Sequence, residues 1–354
     1  MKKKSGTELS GIKEIARRAN VSIATVDRVI HRRSGVSIKT RDKINKIIGE
    51  LDYQPNLLAR RLASRKKIRI ATLIPMVSGE TSFWEAPLRG IEQAEAELRQ
   101  YGIKLEKNFF DQNDSASFIK QSKLILKNKP DGILLAPSFI EESIAFTNSC
   151  KQLDIPYVFI NSDIPDQNSL CYIGPNLYRS GYLAGNLVSY LVENSDDILV
   201  VNISKEMDNR HHLLRKEEGF RAYFKDHNKN NKILKIDIRQ IDHDSIEKGL
   251  SAQMKENRKI KVIFVTNSRV SAVANYLKVQ GDNVLLVGYD FLKENIEYLD
   301  EGIIDFLICQ KPVEQAYRGV MALYQHLVLS ASVEEIYFMP IDIITKENYT
   351  FYRN

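Results

Sequence analysis

The chain has 354 residues, is 43% hydrophobic and 27% charged, and carries a formal net charge of +6. A length of this order predicts two or three domains, and the apolar content is enough for a large core. No apolar run approaches the roughly 18 residues of a membrane span, and the opening MKKKSGTELSG has charge but no apolar stretch behind it, so neither a span nor a secretory signal is expected. Cys150, Cys171 and Cys309 lie far apart with no CxxC spacing. They are expected to be buried, reduced thiols of a cytoplasmic, nucleoid-associated protein. P-loop, GxGxxG, HExxH and GxSxG strings are all missing from the sequence, which predicts no enzyme, no metal and no cofactor.

Charge divides the chain unevenly. Residues 1–67 hold 18 Lys+Arg against 6 Asp+Glu, a local charge of +12, which leaves about −6 on the other 287 residues. A basic front end on an otherwise ordinary body points to a polyanion as partner. Binding through it releases counterions and weakens steeply with salt.

In chain order, the first elements are two short helical patterns meeting at Asn20-Val21. Ile12, Ile15, Ala16 and Ala19 share one face, then Ile23, Val26, Val29 and Ile30 share another. Asn20 suits a left-handed turn and Ser22 an N-cap. This is the pattern of a helix-turn-helix whose second helix, about 22–30, enters the major groove. Ile23, Ala24 and Asp27 are placed toward base edges, and Thr25 and Arg28 toward phosphate or base, with Ser22 and Arg32 also counted among the DNA-binding residues. A carboxylate beside DNA is unexpected. Asp27 either accepts from a cytosine amine or, as favoured here, holds Arg28 or Arg32. A third helix follows from Ser37 to Leu51, with Ile44, Ile47, Ile48 and Leu51 closing a small core. Pro55 then suits the first turn of a short helix over 56–63 that contains Asn56, Leu57, Leu58, Ala59, Arg60, Arg61 and Leu62. Too short to be stable alone, it could fold in the minor groove of a bent duplex with Leu62 as a wedge, or serve as a linker with Leu62 packed on the body.

The stretch VSIATVDRVI…VSIKTRDKINKIIGELDYQPNLLARRLA, about sixty residues, resembles the head of the LacI/GalR (lac repressor) family of transcription regulators. The resemblance implies a homodimer on a near-palindromic double-stranded operator. It also implies a hinge helix inserting Leu62, with Asn56, Ala59 and Arg60 beside it, and an effector-binding body related to periplasmic sugar-binding proteins. Two positions depart from that pattern: Asn20, where Gly is common, and Asp27, where a small hydroxyl residue is usual.

From Ile68 onward apolar runs alternate with helical stretches. The runs are 68–75, 132–137, 157–161, 197–204, 262–267, 284–290 and 305–310, and helices are expected near 87–101, 115–128, 178–192 and 268–280. Continuous apolar strands between helices predict parallel sheets covered on both faces. Gly181 and Gly185 would let their helix pack close to a sheet. The expected fold is thus α plus α/β, with a helix-turn-helix head, a hinge, and a two-lobed body of parallel doubly wound sheets. The expected bounds are 1–54 for the head, 55–67 for hinge and linker, and 68–354 for the body. Within the body, lobe one would take 68–164 and 311–337, and lobe two 165–310 and 338–354. Ligands bind at the carboxyl ends of such strands. There stand Phe83 and Trp84, the one tryptophan, then Asn161, Asp163, Asn267, Asp290 and Gln310. Short polar groups with an aromatic face suit a polyhydroxy ligand, although Phe83 could equally be core. VTNSRVSAVA, VGYD, CQKPVEQAYRGV and SFW also resemble ligand-contacting segments of periplasmic sugar-binding proteins. Those proteins use an Arg upstream of a Gly-Phe pair, which in NRHHLLRKEEGF implies Arg215, with Arg210 competing. The predicted partners are therefore operator DNA, a second copy, and a small polar effector such as a sugar or sugar derivative. The alternatives are a nucleobase effector or a sugar-binding transport component.

Overall fold

A computed structural model describes residues 11–30, 33–51, 53, 67–78, 82–205 and 211–354. The chain folds as two compact units, Met1–Ser64 and Arg65–Asn354. In the first, α1 (Ile12–Ala19) ends where Asn20 takes φ 57° and ψ 48°, the left-handed conformation that Asn tolerates better than other non-Gly residues. The hydroxyl of Ser22 then accepts from the Thr25 N–H at 3.1 Å, capping α2 (Ile23–Ile30). Ser37 caps α3 (Ile38–Glu50) in the same way, accepting from the Thr40 N–H. Ile15, Ala16, Ala19, Val26, Val29, Ile44 and Ile47 form the core of this three-helix head, with Ile12, Val21, Leu51 and Tyr53 around it.

The second unit holds two sheets. β1 (Ile68–Pro75), β2 (Ile103–Phe110), β3 (Gly132–Leu135), β4 (Tyr157–Ile160) and β5 (Cys171–Gly174) build lobe one. β6 (Asp197–Ile203), β7 (Ile233–Ile238), β8 (Ile260–Val265), β9 (Leu285–Tyr289) and β10 (Phe306–Cys309) build lobe two. Two short strands, β11 (Ile336–Phe338) and β12 (Asp342–Ile344), are shared out one to each. The spatial orders are β11-β5-β4-β3-β1-β2 and β12-β10-β9-β8-β6-β7. All neighbours run parallel except β12, which is antiparallel to β10. In each lobe the order reverses beside the first strand, so both switch points open at carboxyl ends.

Nine helices of this unit are described: α4 (Glu85–Leu98), α5 (Ser115–Asn128), α6 (Ile140–Gln152), α7 (Leu177–Ser189), α8 (His211–Asp226), α9 (His243–Glu256), α10 (Val270–Gln280), α11 (Lys293–Asp300) and α12 (Pro312–Leu329). The central strands of lobe two are buried on both faces. Val201, Ile263 and Leu286 lie in a core shared with α9, α10 and α11, and Val200, Phe264 and Val287 in one shared with α7 and α8. This explains why the central strands read as continuous apolar runs.

Several expectations need correcting. The first lobe crossing follows Gly174 instead of Ile164. CYIG forms β5, with Val158 opposite Cys171, so residues 165–174 stay in lobe one. A four-residue strand behind the polar loop DIPDQNSL gives too short a pattern to register. The last crossing falls after Phe338, which still pairs with Gly174. The edge strands β2 and β7 were not anticipated, because each is solvated on part of its length and lacks a solid apolar run. Gly181 serves a helix, not a sheet. A Cβ there would land on the Lys216 carbonyl oxygen of α8, and one on Gly219 would land on that of Tyr178. The expected hinge helix at 56–63 lies outside the described residues.

Candidate ligand cleft and nucleic-acid interface

Seven strand ends and the segment ahead of α4 converge on one cleft between the lobes. From lobe one come Phe83 and Trp84 ahead of α4, Gln112 after β2, Pro137 and Ser138 after β3, and Asn161 after β4. Lobe two contributes Ile203 and Ser204 around the end of β6, Asn267, Ser268 and Arg269 after β8, Asp290 after β9, and Gln310 after β10. His212, Leu213 and Lys216 of α8 complete the wall. The rings of Phe83 and Trp84 meet edge to face, 5.1 Å between centroids at 88°.

Three residues at these strand ends hold an unusual backbone conformation. Asn161 (φ 69°), Asp290 (φ 76°) and Lys311 (φ 51°) are left-handed without being glycine. Surrounding amides hold them. Gln315, 1% exposed on α12, accepts from the Asn161 N–H at 3.0 Å and donates to the Gln310 carbonyl at 2.6 Å, tying together the strand ends of both lobes. The Asn295 amide, fully buried, donates to the carbonyls of Tyr289 and Asp290. Asn267 donates to the Ile203 carbonyl at 2.6 Å.

The charged centre is Lys216 with Asp290. Lys216 is 3% exposed, and its ammonium donates to the Thr266 carbonyl at 3.2 Å and stands 3.6 Å from the Tyr289 ring centroid. Burial pushes its pKa down to about 8, with Asp290 opposing. Burial likewise pushes Asp290 up to about 6, against the pull of Lys216 and of Gln310, whose Nε2 donates to Oδ1 at 3.1 Å. The Oε1 atom of Gln310 is buried and accepts no hydrogen bond among the described residues. An unsatisfied buried acceptor costs about 1–3 kcal/mol, so it is a place for a ligand donor. Among the described residues no cluster of three or more His, Cys, Asp or Glu could hold a metal ion. Burial raises the Cys150 thiol to about 12 and Cys171 to about 11, and lifts Cys309 as well, which leaves all three unreactive near neutral pH.

In the head, Ser22, Ile23, Ala24 and Arg28 are exposed on the side of α2 away from the buried Val26 and Val29. Ile23 is 50% exposed, an apolar tip suited to a groove. Thr25 shares its hydroxyl with that of Ser22 at 2.9 Å and so belongs partly to the cap. Asp27 pairs with Arg33 at 3.3 Å, and Arg32, one of its two expected partners, lies outside the described residues.

Residues 70–329 match the family described as periplasmic binding protein domain, and residues 11–56 match the bacterial regulatory proteins of the lacI family. The chain belongs to the periplasmic-binding-protein domain family and carries a LacI-family head. Similar curated proteins include catabolite control protein A of Staphylococcus xylosus, 32% identical over 133 residues, covering 38% of this chain and 39% of that one. Another is the HTH-type transcriptional regulator RegA of Clostridium acetobutylicum, 29% identical over 189 residues and covering 53% of each. The chain thus spans about half the length, or less, of these relatives. Among solved structures, one from Bacteroides fragilis described as a LacI transcriptional regulator aligns with TM-score 0.76 and 29% identity, over 81% of this chain and all of that one. GanP, a glucose-galactose binding protein from Geobacillus stearothermophilus, shares the fold at TM-score 0.71 and 21% identity, over 80% of this chain and 99% of that one. No described helix is long and apolar enough to cross a membrane.

Within the periplasmic-binding-protein body, six of the expected residues come together: Phe83, Trp84, Asn161, Asn267, Asp290 and Gln310. Asp163 stands beside the cleft, in a smaller adjoining pocket with Ser162, Ile164 and His212. Arg215 points elsewhere. It is ion-paired with Glu218 at 2.8 Å, lies over the Tyr178 ring and is partly exposed, so the cation that α8 brings to the cleft is its neighbour Lys216. One residue along a helix turns a side chain by about 100°, which is enough to exchange outside for inside. Gln112, Ser138, Ser204, His212 and Arg269 were also missed, since a lone polar residue in a loop carries no period. On the LacI-family head, Arg32, Asn56, Ala59, Arg60 and Leu62 lie outside the described residues, as does Arg210.

Proposed function

We propose that this chain is a ligand-responsive transcription regulator that binds a near-palindromic operator as a dimer, its affinity set by a small polar effector of the sugar or sugar-derivative class. The carrying observation is the pairing, in one chain, of a capped helix-turn-helix within a front end (residues 1–67) of charge +12 with a cleft in which polar groups from seven strand ends meet an aromatic corner. The head supplies phosphate neutralisation and a short exposed face for base edges. The cleft supplies the switch. A ligand bridging both walls favours one lobe arrangement, and by linkage DNA must alter effector affinity by the same factor. The perpendicular rings of Phe83 and Trp84 favour a sugar over a nucleobase, because a flat base is best held between parallel faces. The 29%-identical Bacteroides fragilis structure and the regulators among the relatives support the same reading.

Fluorescence anisotropy with duplexes from upstream of its own gene neighbourhood, with and without candidate sugars, tests this. Salt-sensitive binding that changes at least severalfold with one ligand is expected. Identical isotherms with every ligand would remove the sensor, and no retention on any duplex would remove the regulator.

A further inference from the structure

The two walls of the cleft differ in chemistry. Lobe one lines it with Phe83, Trp84, Gln112, Pro137, Ser138 and Asn161, none of them ionisable. Every ionisable lining residue comes from lobe two: His212, Lys216, Arg269 and Asp290. Lys216 and the Asp290 carboxylate are the buried charges of this wall, and Asp290 already takes a hydrogen bond from Gln310. Lys216 is almost wholly buried and makes no ion pair among the described residues; of its three N–H donors, one is used on Thr266 and another side faces the Tyr289 ring. Its electrostatic partner is Asp290, which it does not meet in an ion pair, so the buried ammonium is only partly compensated and a ligand anion brought into contact with it would be favoured. A second unmet need lies alongside. The Gln310 Oε1 acceptor is buried and without a donor, and a hydroxyl would supply one.

We infer that the effector is a hydroxylated carboxylic acid, a uronic or aldonic sugar acid, bound in one orientation. Its carboxylate sits against Lys216 on the lobe-two wall, a hydroxyl donates to Gln310, and its carbon face lies toward Phe83 and Trp84. This rests on the reading of the cleft as the effector site and narrows the ligand class. It also gives closure a driving force, since one end of the ligand satisfies the charge of lobe two while the other covers the aromatic corner of lobe one.

Isothermal titration calorimetry on the full chain, with stereochemically matched pairs, tests it: D-galacturonate against D-galactose, D-glucuronate against D-glucose, and D-gluconate against D-glucitol. In whichever series binds, the acid should bind at least about thirtyfold more tightly than its neutral partner, in line with the cost of leaving one member of a buried charge pair alone. Lys216→Met should erase that preference, Lys216→Arg should keep most of it, and Arg215→Met should change nothing. Unaltered circular dichroism and duplex binding of each variant would show that the fold is intact. A neutral sugar binding as well as its acid, or Lys216→Met retaining the preference, overturns the acid but leaves the effector cleft standing. Silence from all six compounds overturns the sugar acid and counts against the sugar reading as well.

Discussion

At the residue scale, the cleft keeps two ionisable groups almost wholly buried, and both respond by shifting toward their neutral forms. Asp290 is pushed up to about 6 from an ordinary 3.8, so between those values the folded state holds a proton that the unfolded state has lost. Stability of the ligand-free body from this group is therefore fully present below about pH 4 and falls as pH rises through about 6. The loss is up to about 3 kcal/mol for a change of this size. Urea unfolding of wild type and Asp290→Asn from pH 4 to 7 should show a stability difference that shifts in favour of the variant as pH rises. A pH-independent difference would mean that the carboxyl is not desolvated in solution. Such a site is unstable when empty at neutral pH, the condition under which a bound ligand has most to offer.

At the element scale, the cation's position depends on a helix–helix contact. Gly181 on α7 and Gly219 on α8 have no room for a methyl group, because each would strike a backbone carbonyl of the other helix: Lys216 in the first case and Tyr178 in the second. Gly181→Ala must separate the helices at the residue that carries the cleft ammonium. It should destabilise the body by about 1–3 kcal/mol, the usual cost of overpacking, and weaken effector binding, while duplex binding without ligand persists. Thermal melts together with calorimetry check this, and wild-type ligand affinity in the variant would show that α8 is not positioned by that contact. The helices themselves were readable from the sequence because of their caps and faces: Asn20, Ser22 and Ser37 act as expected. The strand β5 was not readable, since four residues between polar loops carry too little periodic signal.

At the scale of the whole molecule, the charge asymmetry makes the strongest statement. With +12 on residues 1–67 and about −6 beyond, DNA affinity should come chiefly from counterion release. A contact set of 6–10 phosphates predicts a fall of about 10³–10⁵ in affinity between 50 and 200 mM salt, and a logarithmic plot should be linear. A slope near zero would dismiss the head as a DNA-binding element. The body has its own cross-cleft contact. Ser82 of lobe one donates to the Glu294 carboxylate of lobe two at 3.2 and 3.3 Å, so the lobes touch at the rim as well as at Gln315.

What the sequence determined by itself is whatever repeats along the chain or is written in a short motif. This covers the capped helices of the head, the uninterrupted apolar strands of two sheets, and the polar residues at their ends, including Asn161, Asn267, Asp290 and Gln310. These are local consequences of 3.6-residue and strand geometry, and they need no knowledge of partners. Tertiary structure alone decided which of two adjacent cations faces the cleft, where the chain first leaves lobe one, and that Gly181 meets a helix instead of a sheet. Each of those depends on residues far apart in sequence coming within a bond length or two, and no window along the chain contains that distance.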